Sequence, residues 1–149
     1  LGKQNLWKEA EREEIDKERI IIAGRIPLKD HLKRLKFIDL FLDTFPYNAH
    51  TTSSDAIRMG IPIVTLIGKS FASRVSASIL NQVNMSQLVA NNIEDFEKIA
   101  IELATNKGKL KNIKNVIKKS ILDSKLFDSL KFTKDLEKIY QDLIHEEKI

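Results

Sequence analysis

An α/β fold on a Rossmann-like parallel sheet is predicted by two features of the first 91 residues and one of the rest. Short β-branched or apolar runs recur at 20–24, 37–42, 61–66 and 87–90. Short helical patterns lie between them, joined by brief loops, and such alternation favours parallel strands with right-handed crossovers. Beyond Asn91 the apolar spacing becomes purely helical. The expectation is half of a doubly wound domain with a helical C-terminus. One domain spans 1–149, with an α/β part at 1–91 and a helical part at 92–149.

Each element has its local reason. Residues 4–18 are highly charged around Leu6, Trp7, Ala10 and Ile15, which suggests a surface helix. Arg19 to Gly24 is a β-branched run ended by glycine, read as a buried strand. After Pro27, Lys29 to Lys36 forms a short helix with Leu32 and Leu35 at three-residue spacing. Phe37 to Leu42 is the next strand. Ser53 to Met59 is helical, with Gly60 as its stop. Ile61 to Leu66 is the third strand, its proline tolerable at the start. Phe71 to Leu80 is a helix rich in Ala and Ser, and Gln87 to Ala90 a short fourth strand. Asn92 caps a helix carrying Phe96, Ile99, Ala100 and Leu103, ended by Gly108. Leu110, Ile113, Ile117 and Ile121 stripe the following helix, and Leu136, Ile139, Tyr140, Leu143 and Ile144 stripe the last.

Composition narrows the function. The chain is 42% apolar and 31% charged, as soluble globular proteins are. No apolar run approaches the roughly 20 residues that span a bilayer, and no signal core opens the chain, so no membrane partner and a cytoplasmic location are expected. There is no cysteine, and three scattered histidines make no metal constellation, so no metal or other cofactor is expected. The net charge of +4 comes from lysines that alternate with the apolar stripe, a solvated face. Basic residues interleaved with stacking aromatics are lacking, which argues against nucleic acid. Leu1-Gly2, without an initiator methionine, reads as the continuation of a longer polypeptide.

The stretch Leu42 to Asp55, LDTFPYNAHTTSSD, carries most of the chemistry. It reads as strand, loop and helix mouth, with His50, Thr51 and Thr52 at the mouth. Free N–H groups and the positive end of the helix dipole suit a phosphate. An ordinary Ser/Thr N-cap is the plain alternative. Asp55, one turn in, suits ribose hydroxyls as acidic residues do at Rossmann sites, or merely complements the dipole. His31 follows the 20–24 run, where its ring could stack on a base or lie on the surface. Arg34 is one turn on, able to reach a base carbonyl or stay solvated. Tyr47 packs the corner or faces a ligand. Arg74 serves a ligand or an internal ion pair. Gly68-Lys69-Ser70 lacks the upstream glycine of a Walker motif.

These strings in order resemble the C-terminal catalytic lobe of the O-GlcNAc transferases and their bacterial SPINDLY-type relatives. The resemblance covers about residues 19–145 and rests on Pro27 with His31 and Arg34, Leu42-Asp43-Thr44, Asn48 with His50-Thr51-Thr52, Asp55, Gly60 to Thr65, Ala72 to Ser78 and Leu126-Phe127. It implies a two-lobed, GT-B-type inverting glycosyltransferase that moves GlcNAc from UDP-GlcNAc to Ser/Thr hydroxyls of an acceptor protein. It implies that His31 stacks on uracil, Arg34 holds the base, Thr51 and Thr52 bind the diphosphate, and Asp55 holds the ribose. His50 would lie at the sugar–phosphate junction, where it and Thr52 would be catalytic by stabilising the leaving group. No general base is identified. A phosphate-binding lysine and its glutamine partner would lie upstream, as would the other Rossmann lobe with its histidine near the acceptor and the tetratricopeptide repeats, so this chain alone would be half an active site. Animal members carry a lysine at Leu28 and a cysteine at Tyr47, so ribose and sugar contacts differ there. Plant SPINDLY proteins, which use GDP-fucose, share LDTFPY but lack the histidine at His50 and have glutamate at Asp55. This sides the chain with the GlcNAc branch. The alternatives are another nucleotide-sugar donor or a non-catalytic nucleotide-binding or protein-interaction module.

Overall fold

The computed structural model describes residues 2–146, so Leu1 and the last three residues of the expected helical part lie outside it. The chain divides into two compact units, one up to His31 and one from Leu32 onward.

The first unit holds helix α1 (Gly2–Arg12) and a short 3-10 turn at Lys17–Arg19. Glu14 takes a left-handed φ of 55° after α1, and the Ile15 N–H returns to the Ala10 carbonyl at 2.8 Å. The expected 20–24 strand is not formed. Ile20 is extended, but no strand pairs with the run, and Ile21 is 87% exposed. β-branching favours extended backbone, but a strand also needs a partner for its N–H and C=O groups.

Helix α2 (Leu28–Leu35) crosses the boundary between the units, and its Leu35 is buried in the core of the second. That unit is built as β1 (Phe41–Leu42), α3 (Thr51–Arg58), β2 (Ile63–Leu66), α4 (Val75–Gln82) and β3 (Val89–Ala90). Helices α5 (Ile93–Thr105), α6 (Lys107–Asp123) and α7 (Ser129–Glu146) follow. The sheet is parallel with order β1-β2-β3, as the alternation predicts. Phe41 is in register with Ile63, and Thr65 with Val89. The strands are shorter than the apolar runs. Of the 37–42 run only two residues pair, and the 87–90 run gives its first half to a 3-10 turn at Ser86–Leu88.

Helices α3 and α4 end alike. Gly60 (φ 75°) and Asn84 (φ 57°) turn left-handed, and the next N–H groups, of Ile61 and Met85, return to Ala56 and Leu80 at 2.9 Å. This is the Schellman pattern that Gly and Asn permit. The core between sheet and helices contains fully buried Ile57, Ile63, Val64, Leu80, Val83, Leu103 and Ile117. Asn92 caps α5 as expected, its side chain accepting the Asp95 N–H at 2.8 Å. Gly108 does not end that helix. Asn106 does, and its side chain also accepts the Lys109 N–H at 2.9 Å to open α6.

Candidate functional site

The site is the mouth of α3 and the loop that feeds it. Asp43 leaves β1 buried, only 8% exposed, and organises that loop. Its Oδ1 accepts the N–H groups of Thr44 at 2.9 Å and Ala49 at 2.7 Å. Its Oδ2 accepts the Thr65 hydroxyl, from the middle of β2, at 2.7 Å. Fully buried Asn48 adds a second pin. Its Nδ2 donates to the Thr44 carbonyl at 2.7 Å and, at 3.4 Å, to the Leu66 carbonyl. Its backbone N–H donates to Ala72 at 3.0 Å.

A third link joins the two helix mouths. Ser76, in the first turn of α4, donates its hydroxyl to the Ala49 carbonyl at 2.8 Å. A hydroxyl has one proton, so the 2.7 Å contact between Ser53 and Ser76 has Ser53 as donor. Gly68 fits the same close packing. A Cβ there would stand 2.8 Å from the Ser73 Cβ and 3.0 Å from the Phe45 ring.

On this frame His50 is the N-cap residue of α3, and it makes no side-chain cap hydrogen bond. The ordinary Ser/Thr N-cap is therefore not what Thr51 and Thr52 provide. Both lie inside the first turn and are exposed. An α-helix leaves its first N–H groups without intrahelical partners, and among the described residues the N-cap side chain, that of His50, does not cap them. The His50 ring stacks on Tyr47, with centroids 5.0 Å apart and planes 13° apart, and meets Phe71 edge-on at 6.0 Å. Its Nε2 is buried with no hydrogen-bond partner. Asp55 is partly buried one turn into α3, three residues after Thr52 and four after Thr51. Arg58 closes the helix at its negative end and lies 4.7 Å over the Phe127 ring.

The structure thus brings His50, Thr51, Thr52 and Asp55 together at one helix start. His31 and Arg34 share α2, one turn apart and both partly buried. The Ser70 hydroxyl caps the 3-10 turn at Phe71–Ser73, accepting the Ser73 N–H at 3.3 Å, a role fitting the absence of a Walker motif. Sequence reasoning gave no role to Asp43, Asn48, Ser53 or Ser76. A carboxylate directly after an apolar strand was the available signal for Asp43. Among the described residues no three His, Cys, Asp or Glu side chains gather to hold a metal ion, and no helix is long and apolar enough to cross a membrane.

The chain's sequence and its parallel α/β fold are similar to those of known proteins. The model of glycosyl transferase family 41 matches residues 1–136. The chain belongs to that family. A probable UDP-N-acetylglucosamine–peptide N-acetylglucosaminyltransferase SPINDLY of Eustoma exaltatum subsp. russellianum is 35% identical over 78% of this family 41 chain. The corresponding SEC protein of Arabidopsis thaliana is 32% identical over 85%. The chain spans only 13% of each of these relatives. A solved mutant O-GlcNAc transferase of Thermobaculum terrenum superposes with a TM-score of 0.87 at 31% identity, covering 94% of this chain and 27% of that one.

Proposed function

We propose that this family 41 chain is the donor-binding part of a protein O-GlcNAc transferase, an inverting enzyme that uses UDP-GlcNAc. The observation that carries this is the uncapped first turn of α3, with Thr51 and Thr52 exposed beside a His50 whose Nε2 is buried and unpartnered. A diphosphate leaving group gains negative charge as the glycosidic bond breaks. Donors fixed in advance stabilise that charge without reorganising. The α3 N–H groups, the two threonine hydroxyls and His50 are such donors, and the helix dipole adds to them. Asp55 accepts ribose hydroxyls. His31 stacks on the uracil and Arg34 holds its edge, both from α2. The acceptor is a Ser or Thr hydroxyl of a cytoplasmic protein. The remaining lobe, which brings that acceptor to the donor, belongs to the rest of the full-length protein. The names of the relatives support the donor and the reaction class.

Calorimetric titration of the full-length protein with UDP, UDP-GlcNAc and GDP-fucose tests the donor. Binding of UDP and UDP-GlcNAc with rejection of GDP-fucose is expected, and preference for GDP-fucose would overturn the choice. Kinetics test the roles. Thr52→Val should lower kcat/KM by on the order of 10- to 1000-fold, as loss of one preorganised donor does. His50→Ala should do at least as much. His31→Ala should mainly raise the donor KM. Equal, small effects of all three in folded protein would reduce these residues to structural positions.

A further inference from the structure

Hydrogen bonding does little to aim the His50 ring. It makes no cap hydrogen bond, and its Nε2 is buried with no partner among the described residues. A histidine that acts on a ligand through one ring nitrogen is ordinarily oriented by a hydrogen bond at the other. Here two aromatic rings flank it instead. Tyr47 lies parallel to it, with centroids 5.0 Å apart and 13° between the planes. Phe71 stands at 88° to it, with 6.0 Å between centroids. Stacked and edge-to-face contacts at roughly 4.5–7 Å are the arrangements aromatic pairs prefer.

Neither flanking ring belongs to the core. Tyr47 is 66% exposed and Phe71 81%. The backbone around them is nevertheless fixed. The Thr44 hydroxyl donates to the Tyr47 carbonyl at 2.6 Å. The Asn48 N–H, next to Tyr47, donates to the carbonyl of Ala72, next to Phe71, at 3.0 Å. The Ala49 N–H, next to His50, is held by Asp43 at 2.7 Å. The three rings therefore stand on one frame, and the two outer rings limit how far the imidazole can turn. We propose that Tyr47 and Phe71 are positioning residues, which hold the His50 imidazole in the orientation from which it donates to the departing diphosphate. This rests on the leaving-group reading of His50 above. A donor stabilises developing charge best when it is in place beforehand, and a ring free to rotate about its Cβ–Cγ bond is in place only part of the time. Tyr47, the nearer and parallel ring, carries the larger share. Its hydroxyl is not needed for stacking.

The test uses the full-length protein and follows UDP release from UDP-GlcNAc with a serine-containing peptide as acceptor. Tyr47→Ala should lower kcat by on the order of 10-fold, as misplacement of a catalytic group does, with the donor KM and the calorimetric UDP affinity nearly unchanged. Tyr47→Phe keeps the ring and should restore most of the rate. Phe71→Ala should act in the same direction and less. In a His50→Ala background, Tyr47→Ala should cost nothing further, because no imidazole is left to position. The carbon-bound ring protons of His50, shielded by the Tyr47 ring, should move downfield in Tyr47→Ala and stay in Tyr47→Phe. A wild-type kcat in Tyr47→Ala, an unmoved His50 signal, or an equal loss with and without His50 in protein that still binds UDP would overturn the proposal; the last result would make Tyr47 a direct contact of the sugar. A wild-type kcat in His50→Ala sinks the leaving-group reading of His50 instead, and the positioning role with it.

Discussion

A buried carboxylate with three donors around it, as at Asp43, is hard to replace. Asp43→Ala leaves the Thr44 and Ala49 N–H groups and the Thr65 hydroxyl without their acceptor. An unsatisfied buried donor costs about 1–3 kcal/mol. Part of the loop is exposed and water can reach it, so a loss of about 2–4 kcal/mol in urea unfolding is expected. Asp43→Asn should recover part of this, since it keeps one acceptor oxygen. Equal stability of wild type and Asp43→Ala would mean that the loop does not depend on this pin. At this scale the sequence revealed the residues at the mouth and hid those that hold it. His50, Thr51 and Thr52 are contiguous, and hydroxyls before a helix have a local meaning. The partner of Asp43 is Thr65, 22 residues away, and that pairing exists only once β1 and β2 are in register.

Elements were legible where period and punctuation agreed. Gly60 and Asn92 act where the pattern put them, because a left-handed stop and an N-cap are local chemistry. The 20–24 run misled because β-propensity is a preference for a half-buried pleated surface, and Ile21 and Ile22 are exposed. Gly108 misled in another way: Asn106, two residues earlier, offered both a stop and a cap. Helix α6 tests the packing. Ile117 is fully exposed to nothing but core, at 0% accessibility, and Ile117→Ala should lower stability by about 2–5 kcal/mol in denaturant unfolding. The same helix reaches the segment before β1 through Lys114, whose ammonium donates to Asp39 at 2.7 Å. That hydrogen bond and charge hold the Asp39 carboxyl below its ordinary value. A depressed carboxylate pKa stabilises the fold above the unfolded value and loses that contribution as pH falls through the folded one. Carbon-13 titration should therefore place Asp39 below the ordinary aspartate value, and Lys114→Met should raise it; no change on substitution would mean that the pair does not persist in solution.

For the whole molecule, the proposed reaction needs donor and acceptor held in one geometry, and this chain spans 13% of its plant relatives. Positioning of two reactants supplies much of an enzyme's acceleration. Residues 1–149 alone should show no sugar transfer to peptides, and a turnover detected with them would place the full catalytic apparatus in this segment. The α/β class was legible because alternation of strands and helices is a property of the whole pattern and survives errors in single elements. The two-unit division was not, because nothing local marks His31–Leu32, in the middle of α2, as a boundary. The Asp43 pin has one more consequence, for motion. A surface loop ordinarily opens by itself, and its amides exchange with solvent deuterium long before those of a sheet. Here the Ala49 amide is tied to a carboxylate that β2 also grips, so it can be released only when the strands part. Deuterium uptake at Ala49 should then follow that of Phe41 and Asp43, whose amides bond Pro62 and Val64 across the sheet. The mouth that would receive the nucleotide would thus be rigid before any ligand arrives, and would melt with the sheet rather than ahead of it.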